Sequence, residues 1–124
     1  MKRRIKRYII PLIGLILTFV LIRCVFMIGF VPSESMEPTI RKNSIIVGLR
    51  IYGELKEGDV IIFEREGKLL VKRIAECSGK GYYVLGDNTE NSYDSRYWEK
   101  PYLDRNDVVA RVILRNSRKF FFCL

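Results

Sequence analysis

The chain of 124 residues contains no histidine. Any serine nucleophile in it must therefore be activated by a lysine or a carboxylate, which excludes hydrolases whose serine is paired with a histidine base. Cysteine is scarce as well, with three in the chain and no close pair among them. Because zinc sites are built mainly from clustered cysteine and histidine, no zinc site is expected, and the sequence predicts no cofactor.

The cysteines give no clear disulfide framework, because their number is odd. Cys24 lies within an apolar stretch, and nothing in the sequence shows that Cys77 and Cys123 are close in space. A pair between these last two would form only in an oxidising compartment. The sequence favours unpaired cysteines and leaves the Cys77–Cys123 pair open.

Acidic residues are absent from residues 1–31, which hold six basic residues, so the rest of the chain carries only +2 of the net charge of +8. A nucleic-acid-binding protein usually concentrates its basic residues on the folded domain. Basic residues ahead of an apolar stretch are instead typical of a membrane-topology signal. The charge distribution therefore argues against nucleic-acid binding.

The apolar stretch near the N-terminus predicts a membrane anchor. Residues 8–22 are uncharged, Arg23 follows, and residues 24–31 are uncharged again. The combined stretch is long enough for a bilayer core of roughly 30 Å, and a long arginine side chain near one end can reach the headgroups. No small-x-small pattern of a cleavable secretory signal follows it. We expect a cytoplasmic segment 1–7, a single-pass anchor 8–31 and an external domain 32–124.

After the anchor, the sequence indicates strands rather than long helices. Runs of branched and aliphatic residues, separated by Gly-containing turns, predict strands over 44–50, 59–64, 68–75, 81–85 and 107–114. Five short strands joined mostly by tight turns are typical of a mainly β fold, a small antiparallel barrel or sandwich. The Phe-rich segment 120–124 is expected to pack beneath the sheet, with contact to lipid as the alternative.

A possible nucleophile lies directly after the anchor. Ser35 lies between Pro32 and Pro38, whose fixed φ angles restrict the backbone and could expose a hydroxyl. Ser33 could assist the Ser35 N–H in binding an oxyanion. Such a loop is, on residue types alone, more often a plain polar linker.

The candidate base is Lys72, in the strand predicted over 68–75. Period-two alternation places Lys72 on the same face as Leu70 and Ile74, where burial would disfavour the ammonium and lower its pKa. The neutral amine could then act as a general base. The alternative, with Val71 facing inward and Lys72 in solvent, is nearly as well supported by the pattern.

A polar segment over residues 86–96 could complete the site. Ser92 could orient the lysine amine, and Asp94 with Arg96 could form an ion pair that holds the loop. On composition alone, an ordinary solvated loop would look similar.

Four motifs occur in the same order as in bacterial type I signal peptidases, which this chain resembles. They are Pro-Ser-x-Ser-Met-x-Pro-Thr, Gly-Asp-Val-Ile-Ile-Phe, Val-Lys-Arg-Ile and Gly-Asp-Asn-x-x-x-Ser-x-Asp-Ser-Arg. The resemblance implies Ser35 as nucleophile, Lys72 as general base, Ser33 with the Ser35 amide as oxyanion hole, and Ser92 as the residue that orients the lysine. It also implies signal-peptide-bearing preproteins as substrates.

The chain departs from that family in two places. Thr89 stands where the family commonly has arginine, and residues 75–79 lead almost directly into the next strand, where the family commonly has a glycine-rich continuation and an inserted second lobe. The resemblance therefore implies a minimal catalytic core.

Three alternatives remain at the level of sequence. One is a peptidase dedicated to a single pilin, conjugation or surface-assembly substrate. Another is a non-catalytic anchored chaperone, which would have no need of both Ser35 and Lys72. The last is a soluble Ser-Lys autoprotease of the SOS-repressor kind, which the apolar stretch argues against. The oligomeric state is not indicated.

Overall fold

The computed structural model describes residues 2–115 of the chain. Cys123 and the Phe-rich segment 120–124 lie outside the described residues, so the predictions on them stay predictions. Within the described residues, Cys77 is half-buried, and its thiol is free and donates to the Leu55 carbonyl at 3.8 Å.

An N-terminal helix, α1 (Lys2–Val25), is followed without a linker by strand β1 (Phe26–Val31). By length and composition alone, α1 could cross a membrane, and none of its residues is buried. The anchor was predicted to extend to residue 31, whereas the helix ends at Val25 and residues 26–31 pair with the next strand. Their aromatic and branched side chains favour a strand, and Val31 is buried in the core.

Six further strands complete one antiparallel sheet. They are β2 (Ser44–Leu49), β3 (Val60–Arg65), β4 (Lys68–Ser78), β5 (Gly81–Leu85), β6 (Tyr102–Leu103) and β7 (Val108–Arg115), and a 3-10 helix (Arg105–Asp107) precedes β7. Their order across the sheet is β1-β2-β7-β3-β4-β5-β6. The predicted mainly antiparallel β fold with one N-terminal apolar helix is confirmed, and the five predicted strands correspond to β2, β3, β4, β5 and β7.

Strand β3 is buried on both faces and separates two hydrophobic clusters. Ile61 and Phe63 belong to a first cluster with Trp98, whereas Val60 and Ile62 belong to a second cluster. Because side chains alternate along a strand, a run of four apolar residues places two on each face. The second cluster includes side chains from the β1–β2 connection, which is thereby attached to the sheet.

The first residues of β4 leave one strand edge open. Strand β3 pairs with residues 68–73 of β4, but β5 begins its pairing only at Arg73. Among the described residues, the segment 68–72 therefore has a strand neighbour on one side only. An extended peptide could add to such an edge through main-chain hydrogen bonds.

Candidate active site

The segment that carries the candidate nucleophile is held by its apolar neighbours. Met36 and Ile40 are fully buried in the second cluster. Ser35 is itself buried, and its Oγ lies 3.2 Å from Oγ of the exposed Ser33, a contact in which either hydroxyl can donate. The backbone around Ser35 is therefore anchored in the core, while the chain just before it remains open to solvent.

Lys72 lies on the buried face of β4, with a side chain that is only 4% exposed. It pairs with Ile61 of β3, and on its own strand Leu70 and Ile74 share its face and contact the first cluster. The sequence pattern did not decide whether Lys72 faces the core or the solvent. In the structure it faces the core. An uncompensated ammonium is costly in such surroundings.

Burial is the main reason that the pKa of Lys72 lies below its ordinary value of 10.5. The carboxylate of Asp94 acts in the opposite direction and raises this pKa, and the guanidinium of Arg96 lowers it further. The lowered pKa increases the neutral fraction of the amine, which is the form that can accept a proton.

Ser33, Ser35 and Lys72 line one cavity of about 180 Å³. The cavity lies between the start of the β1–β2 connection and the open edge of β4, and residues 30–32 and 69–71 form its other walls. An adjoining cavity of about 210 Å³ shares Phe30, Leu69 and Val71 with it. The three predicted residues and the open strand edge thus face a common space.

Gly86, at the start of the polar loop that follows β5, lies close to the segment that carries the candidate nucleophile. A Cβ added to Gly86 would lie 2.6 Å from the Ser35 carbonyl oxygen and 2.5 Å from Cβ of Ser92, and still closer to the Ser92 hydroxyl. No side chain fits in that space. The absence of a side chain at Gly86 therefore allows Ser35 and Ser92 to approach the same point.

Asp94 and Arg96 form an ion pair, with Nε donating to Oδ1 at 2.9 Å and an Nη donating to Oδ2 at 3.0 Å. The Asp94 side chain is fully buried and also accepts from the Gly86 N–H at 2.9 Å. Burial would raise the pKa of Asp94, but the bonds from Arg96 and Gly86 outweigh it and, with help from Ser92, lower this pKa to about 2. The carboxylate therefore stays ionised and holds Gly86 in place.

The Ser92 hydroxyl is buried beside this carboxylate. Its proximity helps to lower the pKa of Asp94. Among residues 2–115, however, no group lies at the distance and angle of a hydrogen bond to the Ser92 oxygen. The hydroxyl can therefore still rotate to engage another group. Its predicted contact with the lysine amine stays a prediction.

We expect Asp94 to make the folded domain less stable in acid. Its pKa of about 2 in the folded protein lies below the ordinary value of 3.8, so its contribution is fully present above pH 3.8 and is lost as the pH falls toward 2. The shift corresponds to about 2 kcal/mol of unfolding free energy. Denaturant titrations between pH 2 and 6 should show this loss in the wild type and a smaller one in Asp94→Asn. An equal pH dependence in both would contradict the assignment.

Sequence reasoning missed two contacts that hold the same loop. Arg73 donates to both carboxylate oxygens of Asp87, at 2.8 and 2.7 Å, and to the Gly58 carbonyl at 2.7 Å. Asn88 donates its backbone N–H to the Ser35 carbonyl at 2.9 Å. Arg73 directly follows Lys72, and alternation along β4 places the two side chains on opposite faces, but no sequence pattern indicated the partner of either Arg73 or Asn88.

A family model described as "Peptidase S24-like" matches residues 21–113. The chain belongs to this peptidase family. The match includes β1 through most of β7 and thus all the residues that line the cavity. Among residues 2–115, no group of three or more histidine, cysteine, aspartate or glutamate side chains could hold a metal ion.

Two curated proteins resemble this chain. "Signal peptidase I" of Leptolyngbya laminosa is 24% identical over an alignment of 136 positions, gaps included, and the alignment covers 69% of this chain and 66% of the relative. "Probable signal peptidase I-2" of Synechocystis sp. is 25% identical over an alignment of 134 positions, gaps included, and the alignment covers 69% of this chain and 61% of the relative. The chain thus spans slightly less than two thirds of either relative. The resemblance to type I signal peptidases drawn from the four motifs is confirmed at the level of the family.

Proposed function

We propose that this protein is a membrane-anchored serine endopeptidase that removes N-terminal signal peptides from exported preproteins. The observation that carries the proposal is the cavity shared by Ser35 and the buried Lys72 in a chain without histidine. Membership of a peptidase family and the two signal peptidase relatives support the same reaction class.

In the proposed first step, the neutral amine of Lys72 takes the proton of the Ser35 hydroxyl as its oxygen attacks the carbonyl of the last signal-peptide residue. The Ser35 N–H and the Ser33 hydroxyl stabilise the oxyanion that forms. Lys72 then gives the proton to the leaving nitrogen, so that the peptide bond breaks and the mature protein leaves with a free N-terminus. The signal peptide remains as an ester on Ser35.

In the second step, Lys72 takes a proton from a water molecule that attacks the ester. The carbon–oxygen bond to Ser35 breaks, the proton returns to the serine oxygen, and the signal peptide leaves with a free carboxyl group. Because this cycle uses the lysine alternately as base and acid, it requires a lysine whose pKa is lowered toward the working pH. Burial acts on Lys72 in that direction.

The two adjoining cavities support the substrate part of the proposal. An extended peptide added to the open edge of β4 would direct alternate side chains toward the same wall. Cavities of about 180 and 210 Å³, walled largely by apolar residues, would favour small side chains at positions −1 and −3 of the signal peptide.

The anchor forms a separate part of the proposal. In α1, the uncharged run from Tyr8 to Ile22, together with Arg23, Cys24 and Val25, would span about 27 Å at 1.5 Å per residue. The basic residues before it would stay on the cytoplasmic side, and the sheet from β1 onward would lie outside the membrane. Since β1 follows α1 directly, the cavity would lie near the bilayer surface, where signal peptides emerge.

Cleavage of a preprotein reconstituted in lipid vesicles tests the proposed reaction. Wild type should cut after a small residue, with a rate that rises with pH until Lys72 is deprotonated, and mass spectrometry locates the cut. Ser35→Ala should be at least about a thousandfold slower, since the acyl-enzyme can no longer form. Ser78→Ala, at the last residue of β4, is the control and should cleave normally.

The other outcomes separate the alternatives. Cleavage of one preprotein from a broad panel would indicate a dedicated peptidase, and binding of signal peptides without product would indicate the chaperone. Equal cleavage by wild type and Ser35→Ala would refute the proposed nucleophile.

A further inference from the structure

Asn88 holds the two peptide groups on either side of Ser35. Its backbone N–H donates to the Ser35 carbonyl at 2.9 Å, and its side-chain amide nitrogen donates to the Glu34 carbonyl at 3.1 Å. The Glu34 carbonyl also accepts the Glu37 N–H at 3.0 Å, within the same turn. One residue of the β5–β6 loop therefore binds the backbone directly before and directly after the candidate nucleophile.

The bond to the Glu34 carbonyl matters because that carbonyl shares a peptide group with the Ser35 N–H. A trans peptide group is planar, and its C=O and N–H point in opposite directions. A donor that fixes the direction of the Glu34 carbonyl thereby fixes the direction of the Ser35 N–H. Hydrogen bonding at the carbonyl also polarises the N–H and strengthens its bond to an acceptor.

The Ser35 N–H itself finds no acceptor among residues 2–115, although Ser35 is buried. A buried backbone N–H is normally paired, so an unpaired one at a residue that lines a candidate site can bind an external acceptor.

We propose that Asn88 is a positioning residue for the oxyanion hole, through the hydrogen bond from its side-chain amide to the Glu34 carbonyl. The inference rests on the proposed function, because it concerns the stabilisation of the oxyanion formed after attack by Ser35. Asn88 touches neither the substrate nor the reacting atoms. It acts by holding and polarising the peptide group whose N–H would donate a hydrogen bond to the oxyanion.

The neighbouring Asn91 provides a matched comparison. Its side-chain amide nitrogen also donates to Glu34, at 3.3 Å, but to the carboxylate Oε1 and not to the backbone carbonyl. Both asparagines lie in the same loop and contact the same residue. Only the bond from Asn88 is made to the peptide group that contains the Ser35 N–H.

Asn88→Ala should lower kcat for preprotein cleavage about ten- to thirtyfold and change KM less than about twofold, a smaller loss than removal of an oxyanion donor itself. Its affinity for a peptide aldehyde, which adds to the Ser35 oxygen and forms an oxyanion, should fall by the same factor. Its affinity for the uncleaved peptide amide of the same sequence should not change. Asn91→Ala should match wild type in all three measurements.

Asn88→Asp tests the same bond in a side chain of equal size, which protects the test against poor folding of the alanine variant. Its ionised carboxylate cannot donate to the Glu34 carbonyl, so the losses should equal or exceed those of Asn88→Ala. Wild-type kcat in both Asn88 variants, or equal losses for aldehyde and amide, would overturn the inference alone. Equal cleavage by wild type and Ser35→Ala would instead overturn the proposed function and the inference with it.

Discussion

Lys72→Met is expected to slow preprotein cleavage by about 10³- to 10⁴-fold and at the same time to stabilise the folded domain. The loss of activity follows from removal of the lysine that lines the cavity, since a general base contributes roughly 10²- to 10⁴-fold. The gain in stability, about 1–2 kcal/mol, follows because methionine fills a similar volume without an amine to bury. Cleavage assays and denaturant unfolding in detergent at pH 7 measure the two effects.

The gain in stability expected for Lys72→Met depends on pH. The folded-state pKa of Lys72 lies below 10.5, so the unfolded chain binds more protons between the two values and the stability of the wild type rises with pH there. The advantage of Lys72→Met should therefore shrink as the pH approaches 10.5. Lys68→Met, at the exposed start of the same strand, is the control and should change neither activity nor stability much. An active or a destabilised Lys72→Met variant would contradict the assigned role.

Gly86→Ala should reduce cleavage at least about a hundredfold, because a displacement of about 1 Å at a reacting group can cost that much. The added methyl group would meet the Ser92 side chain and the Ser35 carbonyl oxygen, neither of which can keep its position. Overpacking of this kind should also lower the unfolding free energy by about 1–3 kcal/mol. Cleavage assays and thermal unfolding of the same preparation check both effects.

Gly79→Ala is the matched control, because a Cβ at Gly79 would meet nothing within 4 Å. It should leave cleavage and stability close to those of the wild type. Normal cleavage by Gly86→Ala would show that the proximity of Ser35 and Ser92 has no role in catalysis.

Most strands of the β domain could be predicted from local sequence patterns. Strands β2 to β5 and β7 follow runs of branched residues between turns, and alternation along β4 correctly allowed Lys72 to face inward with Leu70 and Ile74. Alternation could not choose between the two faces, however. That choice depends on which face β3 and Trp98 cover, which is a contact between segments distant in the chain.

The end of the helix was placed six residues too late for a related reason. An uninterrupted apolar run is compatible with a membrane helix and with a strand, and residues 26–31 form a strand because β2 pairs with them residue for residue. Hydropathy measures how apolar a segment is. It does not measure whether a partner strand is present.

By itself, the sequence determined that a serine here could rely only on lysine or a carboxylate, that the N-terminal segment is basic and then apolar, and that the rest is mainly β. The tertiary structure alone decided that Lys72 is buried and shares a cavity with Ser35, that Gly86 leaves room for Ser35 and Ser92, and that Asn88 holds the peptide group before Ser35. Residue type and local periodicity determine the former. The latter depend on hydrogen bonds and packing between residues up to 54 positions apart, which no local pattern contains.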